Sequence, residues 1–287
     1  ARVNRYDFRC FHICKTIDND LRENDHTPGF GSGARFVASA FMGDNLDNRA
    51  LLGVKINVVM GRHAGFLTAA SALARVYPDD GPHLIYLPER AFSIQRFVRD
   101  IKKVMAAQGR CVVAVSEGIA DRNGIPIMSK FTQNQEVDSH GNVQLGGTGA
   151  LGDLLAAQLR KHTNISRVRA DTFGYLQRSF AGMYSEVDAR EAREVGRTAV
   201  RYAVQEWGHG SVAIKRKPGK KYQVYYARVA LSKVAKETRH MPDRYINAEG
   251  NHVTRAFINY ASPLTGTLPR IGRFRGYPVR KQPATGK

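Results

Sequence analysis

The sequence has few cysteines, no long apolar run and no recognisable leader. Its 287 residues include three cysteines, Cys10, Cys14 and Cys111, and this odd number argues against a disulfide framework. Cys10 and Cys14 are four residues apart, but no second Cys or His pair completes a zinc site, so buried thiols are expected. No stretch reaches the roughly 18 apolar residues of a membrane helix, and no signal peptide opens the chain. These absences predict a cytoplasmic protein without a membrane span.

Acidic side chains are scarce compared with basic ones. There are 44 Lys and Arg against 25 Asp and Glu, a net charge of +19 with a pI near 10.1. Residues 211–287 hold 17 of the cations and only 3 of the acids. Such a surface suits nucleic acid or small phosphorylated metabolites. Because no RNA- or DNA-binding motif accompanies the charge, nucleic-acid binding is kept only as an alternative. Residues 269–287 are predicted to form a basic flexible tail.

Strand and helix patterns alternate along most of the chain. Apolar β-branched runs predict strands over 54–60, 83–87, 111–115 and 167–170, and 3.6-residue periodicity predicts helices over 61–75, 150–162 and 185–207. Ser93 is expected to cap a further helix. Strands over 211–215 and 222–230 are expected to pair around the Pro218-Gly219 turn. This alternation predicts an α/β fold with mostly parallel sheets and helices on both faces.

Ligands bind outside the carboxyl ends of parallel strands, which selects the loops after positions 13, 59, 115 and 173. The first loop contains Lys15, Asp18 and Asp20. Asp18 could act as a general base, Asp20 could hold a metal ion, and Lys15 could neutralise phosphoryl oxygens. The alternative is an ordinary turn, because Asp and Asn favour turns.

The other three loops each offer a residue suited to an anion or a sugar. In the second loop Gly61 permits a tight turn and Arg62 can reach a phosphate, although a solvent-exposed Arg is the alternative. Glu117 can accept hydrogen bonds from sugar hydroxyls or cap a helix. The fourth loop offers Arg178 as a second phosphate ligand, and the neighbouring Leu176 is expected in the core.

Taken together, these loops resemble the phosphofructokinase family. The matching runs are KTIDNDL at 15–21, MGRHAG at 60–65, SEG at 116–118 and GYLQR at 174–178. The runs MPDRYIN at 241–247 and FINYASPL at 257–264 are similar to the carboxyl-terminal part of the diphosphate-dependent branch. The resemblance covers about residues 6–269, and several motifs in register are far more specific than one.

The resemblance implies a three-layer, two-lobe architecture whose first lobe is incomplete. Residues 1–90 would be the remainder of the amino-terminal catalytic lobe, and 91–268 would form the sugar-phosphate-binding lobe with the carboxyl-terminal return. The family's glycine-rich donor loop normally lies well before the first motif, yet only 14 residues precede Lys15. Roughly a hundred residues of the first lobe are therefore expected to be missing, and the chain begins with Ala, as a processed protein or a piece of a longer one would.

The resemblance also implies an activity: phosphoryl transfer from diphosphate to fructose 6-phosphate, with Mg²⁺, giving fructose 1,6-bisphosphate in a homodimer or homotetramer. Asp18 would be the base, Arg62 would stabilise the transferring group, and Asp20 would lie near Mg²⁺. The sugar phosphate would be bound by Thr16, Ile17, Met60, Gly61, Glu117, Tyr175 and Arg178.

Lys15 is the residue that distinguishes the donors, because ATP-using members typically have Gly at its position. The run Ser179-Phe180-Ala181-Gly182 in place of a glycine pair also points to the diphosphate branch, whereas Cys14 departs from the family's usual Pro. Two alternatives are an ATP-dependent phosphofructokinase and a non-catalytic fragment that keeps only the sugar-phosphate half-site.

Overall fold

The computed structural model describes residues 8–130, 149–205, 208–234 and 237–273, and forms two sheets with helices packed against them. The strands are β1 (Phe11–Ile13), β2 (Gly53–Val59), β3 (Leu84–Tyr86), β4 (Arg110–Ser116), β5 (Val168–Thr172), β6 (Gly210–Arg216) and β7 (Val224–Val229). The α-helices are α1 (Phe30–Leu51), α2 (Phe66–Ala69), α3 (Ile94–Gln108), α4 (Ala150–His162), α5 (Leu176–Ser179), α6 (Glu186–Val204), α7 (Leu231–Val234) and α8 (Arg255–Thr265). Short 3-10 segments cover Ala70–Ala74, Met128–Lys130 and Asp243–Tyr245.

The larger sheet has the strand order β3-β4-β2-β5, and all its pairs are parallel. The inner strand β4 is buried along its whole length, because helices cover both faces of the sheet there. The edge strand β5 instead exposes Arg169 and Asp171. On β4, Val113 and Val115 face a core shared with α3 and α4, whereas Val112 and Ala114 face a core shared with α1 and α8. This arrangement confirms the predicted α/β layering. Strands from both sides of residue 90, β2 and β4, pair within this sheet.

The smaller sheet has the order β1-β6-β7. Its β1 pairs in parallel with β6, and β6 pairs antiparallel with β7, which confirms the predicted hairpin around Pro218-Gly219. Helix α6 packs against this sheet through Val195 and Ala199, which contact Val212 and Ile214. The parallel β1–β6 pair therefore joins the start of the chain to a segment about two hundred residues later, so that the first loop is fixed by distant sequence.

Helix α1 is the longest element and was not predicted. Its first turn follows Gly29, which has no side chain to cap it. Asp188 of α6 supplies the cap instead, since its carboxylate accepts hydrogen bonds from the Gly29 N–H (2.9 Å) and the Ser32 N–H (3.0 Å). The contact fixes α1 on α6 and satisfies donors that a helix start leaves free. Helix α8 was also missed.

Several other sequence predictions need correction. The helix predicted over 61–75 starts only at Phe66 and continues from residue 70 as a 3-10 segment, because residues 61–65 form the loop of the candidate site. The predicted end of α6 at Trp207 is outside the described residues, and the described helix ends at Val204. Cys14 and Cys111 are buried as expected, but Cys10 is exposed.

The start of the predicted flexible tail is held on the body of the protein. Arg273 forms ion pairs with Asp79 (2.6 Å) and Asp80, and its guanidinium lies 4.0 Å from the ring centroid of Tyr77. Residues 274–287 lie outside the described residues. Within the described part of the chain, no helix combines the length and the apolar character that crossing a membrane requires.

Candidate active site

The loops after β1, β2, β4 and β5 bring the predicted site residues together. Asp18 lies within electrostatic reach of Asp20, Arg62, Arg178 and Lys15. Glu117 in turn feels the charges of Asp18 and Arg62. Four loops that are separated by up to about 160 residues in the sequence therefore converge on one carboxylate, at the edge of the sheets where parallel strands end.

The first loop is built around Asn19, which sequence reasoning did not single out. Asn19 is completely buried and has a left-handed backbone, with φ of 60°, a conformation that Asn tolerates better than most residues. Its side-chain amide donates to the Tyr260 hydroxyl (2.8 Å), and its carbonyl oxygen accepts from the Thr27 N–H (3.1 Å). The neighbouring Asp18 N–H donates to the Thr16 hydroxyl oxygen (3.2 Å). The run is thus an internally fixed loop, not a surface turn.

Asp18 is a carboxyl group whose pKa is raised to about 6. Burial is the main cause, because it disfavours the charged form, and the negative charge of Asp20 adds to it. The positive charges of Arg62, Arg178 and Lys15 act in the opposite direction. One oxygen of Asp18, Oδ1, is buried without a hydrogen-bond partner among the described residues. A carboxylate with this pKa and an unused acceptor is suited to general base catalysis near neutral pH.

The second and third loops interlock behind Arg62. Gly61 has φ of 135°, and a Cβ there would lie 2.6 Å from the Ala64 carbonyl oxygen, so only glycine fits this turn. The Ser116 hydroxyl donates to the Gly61 carbonyl oxygen (2.5 Å). A Cβ at Gly118 would collide with the backbone carbonyl of Arg62. Both glycines therefore set the position of Arg62 relative to the end of β4.

Glu117 follows β4 directly, with its N–H donating to the Val59 carbonyl oxygen of the neighbouring strand (3.0 Å). Burial raises the pKa of its carboxyl to about 7, and the charge of Asp18 adds to the effect. A backbone hydrogen bond at Gly61 and the charge of Arg62 lower it. At neutral pH the group therefore exists in both protonation states, so it can donate or accept a hydrogen bond.

The fourth loop is tied to the second by Gln177. This buried side chain accepts from the Met60 N–H (3.3 Å) and donates to the Gly174 carbonyl oxygen (2.9 Å). The Arg178 guanidinium lies 4.3 Å from the ring centroid of Tyr175, and both side chains are exposed. Leu176 was expected in the core, but 57% of it is exposed, because the turn of α5 buries Gln177 in its place.

A cavity of about 160 Å³ lies beside these loops. Lys15, Ile17 and Arg178 line it, together with Gly29, Ser32, Gly33, Phe36, Gln177, Ser179, Phe180, Met183 and Tyr184. Ile17 is mostly buried and belongs to the core shared by α1 and α8, so its side chain supports the wall. The cavity thus combines two exposed cations with largely apolar walls, which suits the phosphate end of a ligand.

Residues 239–241, here called the return segment, cross behind the first loop. The Arg239 N–H donates to the Asp20 carbonyl oxygen (2.7 Å), and its guanidinium donates to the Asp25 carbonyl oxygen (2.8 Å). The same guanidinium lies 4.6 Å from the ring centroid of Phe66. The return segment therefore holds the backbone of the loop that carries both predicted acids.

The return segment also holds the second loop, and Glu89 is the link. One carboxylate oxygen of Glu89 accepts from the Met241 N–H and from the Gly65 N–H, both at 2.9 Å. The His240 ring donates to the His63 carbonyl oxygen (2.9 Å). Glu89 lies in a loop, outside any helix or strand, so no hydrophobic periodicity in the sequence points to it. Its buried carboxylate is visible only once the fold brings Gly65 and Met241 together.

The candidate metal ligands of this site are carboxylates of the first loop. Among residues 8–130, 149–205, 208–234 and 237–273, no group of three or more His, Cys, Asp or Glu side chains is arranged to hold a metal ion. Asp18 and Asp20 lie close enough for their charges to interact. Mg²⁺ is commonly bound by only one or two carboxylates, with water and substrate phosphates completing its shell, so the pair is compatible with this ion.

Comparisons with known proteins agree with the motifs. A family model described as phosphofructokinase matches residues 2–203. The pyrophosphate–fructose 6-phosphate 1-phosphotransferase of Rhodospirillum rubrum is 58% identical over 277 residues, which are 96% of this chain and 68% of that protein. The protein of the same name from Xanthomonas campestris is 36% identical, over 92% of this chain and 62% of its own length.

A solved structure shows the same fold. The pyrophosphate-dependent phosphofructokinase from Marinobacter aquaeolei superposes with a TM-score of 0.79 at 28% identity, over 98% of this chain and 68% of that one. The chain thus spans 62 to 68% of the length of these three relatives. The extent of the family match and the identity to the Rhodospirillum protein confirm the resemblance of the loops: the chain belongs to the phosphofructokinase family.

Proposed function

We propose that this chain carries the acceptor side of a diphosphate–fructose-6-phosphate 1-phosphotransferase. The observation that carries the proposal is Asp18, a largely buried carboxyl with an unused oxygen and a raised pKa, surrounded by Arg62, Arg178 and Lys15. A base among cations is what phosphoryl transfer from diphosphate to a hydroxyl requires. The names of the most similar relatives support diphosphate as donor and fructose 6-phosphate as acceptor.

In the proposed reaction, Asp18 accepts the proton of the sugar 1-hydroxyl while that oxygen attacks a phosphorus atom of diphosphate. The bond from this phosphorus to the bridging oxygen breaks, and phosphate leaves. Arg62 offsets the negative charge on the transferring group, where positioned cations are most effective. The products are fructose 1,6-bisphosphate and phosphate.

Binding of the sugar phosphate is assigned to the surrounding loops. Arg178 would pair with the phosphate at the mouth of the cavity and Tyr175 would pack beside it, while Glu117 would bond a sugar hydroxyl. Thr16, Ile17, Met60 and Gly61 would contribute mainly through the backbone and walls of the site. Asp20 would hold Mg²⁺, which when bound neutralises phosphoryl oxygens. A homodimer or homotetramer in the cytoplasm is part of the same proposal.

Lys15 is proposed to select the donor. It lines the cavity beside Arg178, and its ammonium group can neutralise a diphosphate oxygen. A coupled assay should therefore give turnover with diphosphate and not with ATP. Lys15→Gly should reduce the use of diphosphate far more than the binding of fructose 6-phosphate. Turnover with ATP alone would contradict the assignment of the donor.

A second candidate follows from the length of the chain, which is about two thirds of that of its relatives. A chain that holds only the acceptor half-site would bind fructose 6-phosphate without transferring phosphate. Calorimetry separates the two cases, because binding without turnover identifies a half-site and no binding at millimolar ligand excludes both. Arg193→Met, at an exposed position on α6, is a suitable control for the loss of binding in Arg178→Met.

A further inference from the structure

A second cavity, of about 430 Å³, lies between the 3-10 segment Ala70–Ala74 and helix α8. Its volume is in the range of small-molecule sites. Its walls are formed by Ala72, Leu73, Arg75, His252, Arg255, Ile258, Ser262, Thr265, Gly266 and Leu268. None of these residues lines the cavity beside Asp18. The two cavities are therefore separate candidates for ligands.

The charged residues that line this second cavity are all positive. Arg75 and Arg255 both line it, and no Asp or Glu does. Arg75 is only partly exposed, and within the described residues no carboxylate forms an ion pair with it. The nearby acids Asp79 and Asp80 are already paired with Arg49 and Arg273. The cavity therefore presents two guanidinium groups that form no ion pair within the described residues, although the charges of Asp80 and Asp79 act on Arg75 from beyond ion-pair distance.

The Arg75 guanidinium is held in a fixed position by two neutral acceptors. It donates to the Pro78 carbonyl oxygen (2.7 Å) and to the His252 ring nitrogen Nε2 (2.9 Å). Because Nε2 accepts this hydrogen bond, the ring is neutral, and burial lowers the pKa of His252 accordingly. A positioned, partly desolvated guanidinium binds an anion more strongly than a mobile surface cation does.

The remaining walls offer little for a polar ligand. Leu73, Ile258 and Leu268 are apolar, and the hydroxyls of Ser262 and Thr265 donate to backbone carbonyl oxygens of the same segment. A ligand that matches these walls has an apolar body. Two guanidinium groups match the two charges of a phosphate monoester better than the single charge of a carboxylate.

We infer that the cavity between residues 70–75 and α8 binds a small organic phosphate monoester with an apolar body, at a site distinct from the candidate active site. The phosphate would lie between Arg75 and Arg255, and the apolar body against Leu73 and Ile258. The inference does not depend on the proposed phosphotransferase activity, because it uses neither the residues nor the substrates of that reaction.

Isothermal titration with phenyl phosphate tests the inference on the whole chain. Loss of one charge-assisted contact should weaken binding by about ten- to a hundredfold, so Arg255→Met and Arg75→Met should each show this loss. Arg255 is exposed, so its replacement leaves the fold intact even if Arg75→Met is unstable. Arg193→Met on α6 is the matched control and should bind as the unaltered chain does.

Arg178→Met separates the two cavities. If phenyl phosphate binds the second cavity, Arg178→Met retains its affinity. Affinity that falls with Arg178→Met and is unchanged by Arg255→Met would place the ligand in the candidate active site and overturn the inference. The absence of binding to the unaltered chain would overturn it as well, whatever the outcome of the diphosphate assay.

Discussion

Asp18 and Glu117 are two carboxyls whose pKa values are raised mainly by burial, to about 6 and about 7. The negative charge of Asp18 also makes Glu117 harder to ionise. The motif identified both positions in the sequence, but it could not give their burial, since this depends on loops from four separate strands. Asn19, the buried residue that fixes the loop, carries no charge and belongs to no repeating hydrophobic pattern, so the sequence did not single it out.

Asp18→Asn tests the proposed base. The amide keeps the shape of the side chain but cannot accept the proton, so kcat should fall by about 10²- to 10⁴-fold while fructose 6-phosphate still binds. In the unaltered chain, the rate should decline as the pH falls through about 6, where Asp18 becomes protonated. Steady-state kinetics over pH 5–9 and calorimetry with the sugar phosphate provide the measurement. An unchanged kcat would remove Asp18 from the reaction.

Glu117→Gln tests the cost of burying this carboxyl. The pKa in the folded chain, about 7, lies above the ordinary 4.5, so the folded state binds more protons in between and the wild type loses stability as the pH rises from about 4.5 to 7. The amide cannot ionise. At pH 8 the variant should therefore be more stable by roughly 1–3 kcal/mol, and the gain should vanish near pH 4. Urea unfolding of both proteins at pH 4 and pH 8 measures the difference in their free energies of unfolding. The same difference at both pH values would contradict the burial effect.

At the scale of elements, the sequence predicted helices best where apolar residues recur with a clear helical spacing. Helix α4 and the capping of α3 by Ser93 were predicted correctly. Helix α1 was missed because Gly31, Gly33 and Gly43 lower its helix propensity and because both of its ends lack a local signal. Its start is capped by Asp188, more than 150 residues away, and no reading of nearby residues can reveal such a partner.

Gly118→Ala tests how the third loop positions the second. The added methyl group would displace the backbone of Arg62, with which its Cβ collides. Moving Arg62 by even about 1 Å should lower kcat by about a hundredfold, with a smaller change in fructose 6-phosphate affinity. Gly43→Ala is the control, since a Cβ there has no neighbour within 4 Å and helical Ala should add roughly 0.5–1 kcal/mol of stability. If kcat is the same in both variants, the displacement of the Arg62 backbone does not affect the reaction.

At the scale of the whole molecule, His26 joins the first loop to α6 and to the β6–β7 hairpin. Its ring contacts the Asp25 carboxylate (2.8 Å) and the Glu191 carboxylate (2.6 Å), and Glu191 also accepts from the Tyr222 hydroxyl (2.6 Å). The sequence could not indicate this cluster, because its members are spread over about 200 residues and acquire a common environment only on folding. Burial alone would lower the pKa of His26, but the two carboxylates outweigh it and raise the pKa.

The pH dependence of His26 runs in the same direction as that of Glu117 but lies higher in pH. The pKa of His26 in the folded chain is above its ordinary 6.5, so its contribution to stability is complete below pH 6.5 and is lost as the pH rises through the folded value. His26→Gln, which removes the charge, should therefore be destabilised most at pH 6, by roughly 3–5 kcal/mol, because the buried Glu191 carboxylate loses its cation and Asp25 is left with its ion pair to Arg216. The deficit should shrink toward pH 10, as the unaltered chain loses the same charge. Urea unfolding at pH 6, 8 and 10 measures it, and a deficit that stays constant with pH would show that His26 stabilises the fold by packing alone.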